Sequence, residues 1–207
     1  MACRRGSPVS RTPTTACRRR RRPDERSPLH DTDVYIRRGP RLGSIGEVAE
    51  RWDLLGRLRR AAQIGPAFLD AIGGGVEISR RAKTLAGAAY TDERRVVLNA
   101  ALLTPGREAD RDSTFLHECA HLIADLAAGR RCRHGAKWRE VMALLGEPAD
   151  VRHDLPYLSR AAHAVVTWIC AHCGAEHHFV RRPKRRASDC YCRTCGPVRG
   201  KLAVRHD

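Results

Sequence analysis

Residues 115–123 of the chain read FLHECAHLI, an apolar run interrupted by the pattern His-Glu-x-x-His. Side chains four positions apart lie on the same face of a helix, so His117 and His121 can bind one metal ion together. Glu118 lies beside the first histidine, where it can act as a base on a metal-bound water. Two imidazoles and a carboxylate in this arrangement indicate zinc-dependent hydrolysis of a peptide bond.

The sequence around this motif predicts a helix. Apolar residues recur at helical spacing through it, and Gly129 provides a C-terminal stop. Two arginines follow the glycine, where positive charge suits the carbonyl end of the helix dipole. We expect the N-cap at one of three residues that favour this position, namely Asp110, Asp112 and Ser113.

A catalytic zinc takes three protein ligands and leaves a fourth position for water, so a third ligand is needed. A histidine six residues after His121 would give the metzincin spacing, but that position is Ala127. Glu140 on the next predicted helix is one candidate. His134, which precedes Gly135, is another. Spacing alone leaves both candidates open.

Two Cys-x-x-Cys pairs near the C-terminus predict a second metal site. Cys170 and Cys173 form the first pair, and Cys192 and Cys195 form the second pair after 18 intervening residues. Each pair is followed by glycine, which permits the tight backbone around a thiolate-bound metal. Four thiolates close the coordination sphere, so we expect a zinc ribbon with a structural zinc. Cys190 is an alternative to Cys192.

The net charge of +16 is concentrated at the two ends of the chain. Residues 1–43 contribute +8 and residues 168–207 contribute +6, whereas residues 44–167 contribute only +2. Basic ends on a nearly neutral body suggest that the ends contact a polyanion such as DNA, independently of its sequence. Five cations between the two cysteine pairs are the candidates for phosphate contacts: Arg181, Arg182, Lys184, Arg185 and Arg186.

Residues 1–43 are rich in Arg, Pro, Ser and Thr and have no hydrophobic periodicity, so we expect a disordered segment. No stretch reaches the length of an apolar membrane span, and the arginine-rich start lacks the apolar region of a secretory signal. We therefore expect a cytoplasmic protein associated with DNA. Its nine cysteines are then metal ligands or free thiols rather than disulfides.

Between these ends the pattern predicts helices and a small antiparallel sheet. A capping box at Ser44–Glu47 opens a helix that should continue to about residue 62, and a second helical piece follows at residues 68–72. Alternating and β-branched residues predict three strands. These strands are centred on residues 76–78, 85–90 and 96–98.

From about Ser79 to the C-terminus the sequence resembles the SprT-like (Spartan-type) zinc metalloproteases. His117-Glu118-x-x-His121 resembles the active-site helix of that family. His134-Gly135-x-x-Trp138 is similar to the segment that carries the third ligand, so the resemblance favours His134 over Glu140. The remaining similarities are Ser79-Arg80-Arg81, Gly87, Tyr90, Val97-Leu98-Asn99, Leu102-Leu103 and His153. The run Arg130-Arg131-Cys132-Arg133 departs from the family pattern because it is unusually basic.

The resemblance implies an α+β fold, with a zincin-like metalloprotease domain over residues 44–166 and a small β zinc ribbon over residues 167–207. It also implies one catalytic and one structural Zn²⁺, and cleavage of proteins bound or crosslinked to single-stranded or damaged DNA. In that reaction Glu118 is the general base for a zinc-activated water. The alternative is a nucleic-acid-binding zinc-ribbon regulator or adaptor with little or no protease activity.

Overall fold

The computed structural model describes residues 15–17, 39–65, 68 and 72–205, which form an α+β structure. These residues belong to two compact units, one over residues 39–159 and one over residues 160–205 together with 15–17. Most of the segment that we expected to be disordered, residues 1–43, lies outside the described residues. Of the predicted helical piece at 68–72, the structure describes only residues 68 and 72, and Phe68 is helical and buried. None of the described helices is long and apolar enough to cross a bilayer.

The first unit combines a four-stranded sheet with four helices among the described residues. Strands are numbered along the whole chain, and β1 (Thr15–Cys17) belongs to the other unit. The strands of this sheet are β2 (Arg41–Ser44), β3 (Gly75–Ser79), β4 (Gly87–Tyr90) and β5 (Arg95–Asn99). The helices are α1 (Ile45–Arg51), α2 (Leu55–Ala61), α3 (Glu108–Ala128) and α4 (Ala136–Leu145).

The sheet is mixed, and our prediction of an antiparallel sheet was wrong in this respect. Its strand order is β2-β3-β5-β4, with β3 parallel to β5 and the outer two strands antiparallel to their neighbours. The alternation of polar and apolar residues identifies a strand but carries no information on its direction. All five residues of β5 are buried, which fits an interior strand. β4 lies at one edge of the sheet.

The predicted helix from residue 44 to 62 is divided into two helices. Its start is confirmed, because the Ser44 hydroxyl accepts from Glu47 N at 3.2 Å and the Glu47 carboxylate accepts from Ser44 N at 2.7 Å. However, α1 ends at Arg51 and Asp53 adopts a left-handed conformation with φ 57°. Apolar residues keep their helical spacing across this turn, so periodicity alone could not reveal it.

The long helix α3 carries the motif and forms the centre of the core. It begins at Glu108, so the three expected N-cap residues lie inside its first two turns instead of at its cap. Its end is as expected, with Gly129 in a left-handed conformation at φ 60°. The next helix, α4, packs against α3. Both contribute fully buried side chains to one hydrophobic cluster: Phe115, Leu116, Leu122, Ile123, Trp138, Val141 and Leu145.

The second unit is a small β structure. β6 (Val166–Cys170) is the central strand between β7 (Glu176–Phe179) and β9 (Leu202–Val204), and both pairings are antiparallel. β8 (Cys190–Cys192) pairs with β1, and a short helix α5 (Gly196–Arg199) follows the last cysteine pair. Cys190 is disulfide-bonded, which corrects our expectation that the cysteines form no disulfides.

Candidate metal centres

Three histidine side chains of the first unit converge on one point. His117 and His121 project from adjacent turns of α3, and His134 comes from the loop between α3 and α4. The Nε2 atom of His134 lies 3.2 Å from the Nε2 atom of each of the other two. Nitrogen ligands of a tetrahedral zinc are about 3.3 Å apart when each Zn–N bond is about 2.0 Å long. The three imidazoles therefore fit a tetrahedral metal ion and can hold one.

Burial keeps these imidazoles neutral, as metal ligands must be. The largest effect on His117 and His121 is the loss of hydration, which lowers the pKa of His117 to about 3 and that of His121 to about 4. Repulsion from the neighbouring histidines acts in the same direction. Burial also lowers the pKa of His134, and Arg139 contributes to that effect. All three are therefore ready to donate a lone pair at neutral pH.

Glu118 lies beside the histidines in an apolar environment. Its residue is only 6% exposed, and burial raises the pKa of its carboxyl group to about 8. The backbone N–H of Ala89, on the edge strand β4, donates a hydrogen bond to the carboxylate and partly opposes this effect. Gly87 leaves room for this side chain, because a methyl group on Gly87 would lie 3.0 Å from Oε1 of Glu118. A carboxyl group with this pKa can both accept and release a proton near neutral pH.

The wall of the three-histidine centre is aromatic. The Trp138 ring lies 4.9 Å from the His117 ring, 5.6 Å from the His121 ring and 4.7 Å from the His134 ring, measured between centroids. On another side the His153 ring lies 4.9 Å from that of His117. A cavity of about 210 Å³ opens beside His117 and His153. Its other lining residues include Asp110, Ser113, Met142, Asp150 and Leu155.

Asp125 connects the metal helix to the loop that carries His134. One carboxylate oxygen accepts from the backbone N–H of Cys132 at 2.6 Å, and the other accepts from the Thr91 hydroxyl at 2.9 Å. The Asp125 carbonyl also accepts from the N–H of Arg130 at 3.2 Å. Because Asp125 is one helical turn beyond His121, these bonds fix the loop relative to the histidines of the helix.

Glu140 and Tyr157 are engaged by other side chains of the unit. Glu140 is exposed, forms an ion pair with Lys137 at 3.1 Å and is not part of the histidine group. The Tyr157 hydroxyl donates to Asp110 at 2.7 Å, and the Arg107 guanidinium lies 3.7 Å from the Tyr157 ring centroid. Burial, followed by the Asp110 carboxylate, raises the Tyr157 pKa. Tyr157 is thus held at the start of α3.

The second candidate centre consists of the four predicted cysteines. The Sγ atoms of Cys170, Cys173, Cys192 and Cys195 lie within 4.8 Å of one another, and this group does not include Cys190. Two of them, in Cys173 and Cys192, are 3.9 Å apart. The sulfur atoms of a tetrahedral zinc–thiolate site are about 3.8 Å apart. The four thiols therefore fit a tetrahedral zinc ion.

The backbone around Cys170 favours a thiolate. Burial acts to raise the pKa of this thiol. The backbone N–H groups of Cys173 and His172, together with hydrogen bonds from the Cys173 and Cys195 thiols, outweigh that effect, so that the pKa is lowered to about 7. The five candidate phosphate contacts are exposed and lie in the segment that joins β7 to β8 of the same unit. They are Arg181, Arg182, Lys184, Arg185 and Arg186.

Comparison with known proteins agrees with this geometry. The model of the SprT-like family matches residues 68–157, a range that contains the three histidines. Protein SprT of Pseudomonas aeruginosa (strain UCBPP-PA14) is 34% identical over 117 residues, which cover 53% of this chain and 70% of that protein. Protein SprT of Pectobacterium carotovorum subsp. carotovorum (strain PC1) is 32% identical over 126 residues, covering 59% and 70%. No solved structure matches the chain. The chain belongs to the SprT-like family.

Sequence reasoning missed two features of the histidine centre. Asp125 was not among the predicted site residues, although its residue is only 8% exposed. Ala89 gave no signal, because the group that contacts Glu118 is its backbone. A buried aspartate on the same helix face as a metal ligand, one turn later, is a pattern that sequence reasoning could have used.

We predict that Asp125→Ala weakens zinc binding at the three-histidine centre about 10- to 100-fold, because the loop carrying His134 loses its anchor. Competition with a chelator measures this effect, and the four-cysteine centre serves as an internal reference in the same chain. Asp112→Ala is the matched control, since Asp112 lies on the same helix and contacts Arg111 instead of the loop. Equal zinc affinity in wild type and Asp125→Ala would contradict the assignment.

The two helix histidines should make the metal-free protein less stable in acid, whereas the raised pKa of Glu118 acts in the opposite direction over the same pH range. His117 and His121 have lowered pKa values in the folded state, so the unfolded chain takes up protons first as the pH falls. We expect a loss of about 1.4 kcal/mol of unfolding free energy per histidine between about pH 7.5 and pH 5.5. Urea unfolding of wild type and of the double variant His117→Gln/His121→Gln at the two pH values isolates the contribution of the histidines. The variant lacks this loss, so the pH-dependent change in its unfolding free energy should differ from that of wild type by about 2.7 kcal/mol. Equal pH dependence in the two proteins would refute the explanation.

Proposed function

We propose that this chain is a zinc-dependent endopeptidase with a zincin-like domain that cleaves proteins bound or crosslinked to DNA. One observation carries the proposal: three neutral imidazoles converge at tetrahedral spacing beside a buried glutamate. A purely structural metal site has no use for a carboxylate base, whereas peptide hydrolysis requires one. Membership of the SprT-like family supports the same activity.

His117, His121 and His134 would hold the zinc ion, which when bound acts as a Lewis acid on the substrate carbonyl and lowers the pKa of water. Glu118 accepts the proton of the attacking water and later delivers it to the leaving amine. With zinc bound, the charge of the metal would favour the ionised form of Glu118, and the apolar surroundings would make that carboxylate a strong base. The Ala89 N–H orients the carboxylate for both transfers.

The edge strand β4 is the proposed binding place for the substrate backbone. It is the last strand of its sheet, and one of its N–H groups contacts Glu118. An extended peptide that pairs with such an edge is held by main-chain hydrogen bonds, without selection of particular side chains. This mode of binding fits a protease that acts on many different proteins.

The charge of the second unit supports DNA as the place of action. Nine Lys and Arg against three Asp and Glu lie within residues 168–207, and the cations between β7 and β8 are exposed. Arginines and lysines of this kind bind phosphates independently of the base sequence. The ribbon would thereby concentrate the protease on DNA, next to the proteins that are attached there.

A second candidate function is that of a nucleic-acid-binding regulator or adaptor. The four-cysteine centre and its basic segment favour it, because both can work without hydrolysis. The adaptor gives no role to the buried Glu118, whose carboxyl group is unfavourable in an apolar core. We therefore prefer the protease.

The decisive experiment compares wild type with Glu118→Gln in the cleavage of a DNA-binding protein, with and without single-stranded DNA. Glutamine keeps the shape of glutamate but cannot accept a proton. We expect DNA-dependent cleavage by wild type and a loss of at least about 100-fold in the variant. Absence of cleavage by both proteins, with DNA binding intact, would favour the adaptor.

Zinc content is the control for this comparison. Glu118→Gln should retain two zinc ions per chain, since the glutamate is not a ligand. His134→Ala should retain about one, while Glu140→Gln should keep both. If Glu140→Gln loses zinc and His134→Ala does not, the third ligand is Glu140 and the proposed centre is wrong.

Gly87 offers a test of how Glu118 is placed. A methyl group on Gly87 would lie 2.8 Å from Cγ and 3.0 Å from Oε1 of Glu118. We predict that Gly87→Ala lowers kcat at least about 10-fold by displacing the base, while zinc content and KM change little. Gly56→Ala is the matched control, because its methyl group would approach only Arg60, at 4.0 Å. Equal kcat values for the two variants would contradict the prediction.

A further inference from the structure

Four arginines lie within five positions of the third histidine of the metal centre in the sequence. We define the arginine rim as the cations of the α3–α4 loop and the first turns of α4 whose side chains are exposed: Arg130, Arg131, Arg133 and Arg139. This segment contains the basic run that departs from the SprT-like pattern. Neither zinc binding nor peptide hydrolysis accounts for it.

The positive charge of the first unit is concentrated in this segment. Residues 39–159 contain 18 Lys and Arg against 16 Asp and Glu. The ten residues 130–139 alone hold five of these cations and no acidic residue. The remaining 111 residues carry 13 cations against 16 anions. An otherwise slightly acidic unit thus has one strongly positive segment, and that segment contains the third histidine of the metal centre.

The rim arginines differ in their partners from the three ion-paired arginines of the same unit. Arg57, Arg95 and Arg111 each form an ion pair with a carboxylate. Among the residues that the structure describes, none of the four rim guanidinium groups contacts an acidic side chain or makes a hydrogen bond. Exposed guanidinium groups without internal partners are available to an external anion.

The backbone of the loop is well fixed although its side chains are exposed. Cys132 N donates to Asp125, and Gly135 N donates to the Cys132 carbonyl at 3.1 Å. Arg133 is held in a left-handed conformation with φ 48°, which is unfavourable for a residue with a long side chain. Since His134 follows directly, an anion bound at the rim lies next to the third ligand.

We propose that the arginine rim is a phosphate-binding surface through which the protease unit itself contacts single-stranded nucleic acid beside the metal centre. This contact is separate from the one proposed for the ribbon. It deepens the proposed function and rests on it, because it places the DNA next to the cleavage site.

A nucleic acid fits the rim better than an acidic protein segment does. Guanidinium groups match phosphate oxygens in bidentate pairs, and a nucleic acid strand supplies a phosphate at every nucleotide. Proteins that bind DNA are basic where they touch it. If the arginine rim faced the basic surface of such a protein directly, the two would repel each other. A nucleic acid strand between the rim and the protein would attract both.

The test is a full-length, zinc-loaded variant, Arg130→Gln/Arg131→Gln/Arg133→Asn, in which asparagine tolerates the left-handed conformation. Fluorescence anisotropy with single-stranded DNA at several salt concentrations gives the slope of log K against log salt. Loss of three phosphate contacts should reduce that slope by about 2. Cleavage without DNA should stay at the wild-type level, while stimulation by DNA falls.

The matched control removes three exposed arginines of α1 and α2 in the same unit: Arg51→Gln/Arg59→Gln/Arg60→Gln. It lowers the net charge equally, so an equal change of slope in both variants would overturn the proposal in favour of a general charge effect. An unchanged slope in the rim variant, with weaker cleavage of acid-rich proteins, would overturn it in favour of peptide recognition. Arg130→Gln/Arg131→Gln repeats the test without the strained position, with an expected change of about 1.

The two proposals can fail separately. If wild type cleaves nothing, the proposed protease activity is wrong, yet the salt slopes still decide whether the rim binds DNA. If wild type cleaves in a DNA-dependent manner and the rim variant does so equally, with an unchanged slope, the protease stands and the rim proposal is wrong.

Discussion

Asp125 joins the helix that supplies two histidines to the loop that supplies the third. Its two carboxylate oxygens accept from Cys132 N and from the Thr91 hydroxyl, so the helix, the loop after it and the turn between β4 and β5 meet at one buried side chain. A buried carboxylate is tolerable because both oxygens have partners. The spacing of 3.2 Å between His134 and each helix histidine depends on this connection.

The apolar core around α3 makes the side chains of the histidine centre reactive, but it also makes their burial energetically unfavourable. Three imidazoles and the Glu118 carboxyl group are gathered among side chains that offer them little hydration. Their pKa values shift toward the neutral forms for that reason. A bound metal ion turns this arrangement into a favourable one, since it gives each nitrogen lone pair a partner. We expect the unit to gain stability from the ion that it uses for chemistry.

Local patterns in the sequence predicted the local parts of the structure. The His117–His121 spacing, the capping box at Ser44 and the end of α3 at Gly129 depend on residues a few positions apart, and all are found in the structure. Features that depend on contacts between separate segments could not be predicted from the sequence. The parallel pairing of β3 with β5 and the anchor at Asp125 depend on which segments meet in space, which periodicity does not encode. His134 was selected only through the resemblance to a family, because spacing left Glu140 equally open.

The two ends of α3 are both fastened to other parts of the unit. Asp110 in the first turn accepts the Tyr157 hydroxyl, and Asp125 near the last turn holds Thr91 and Cys132. These two aspartates are separated by about 22 Å of helix, with His117 and His121 between them. Sliding or rotating the helix would break hydrogen bonds at both ends, so these bonds hold the helix in one position. The rate at which a metal ion enters or leaves is then set by the opening of the loop that carries His134.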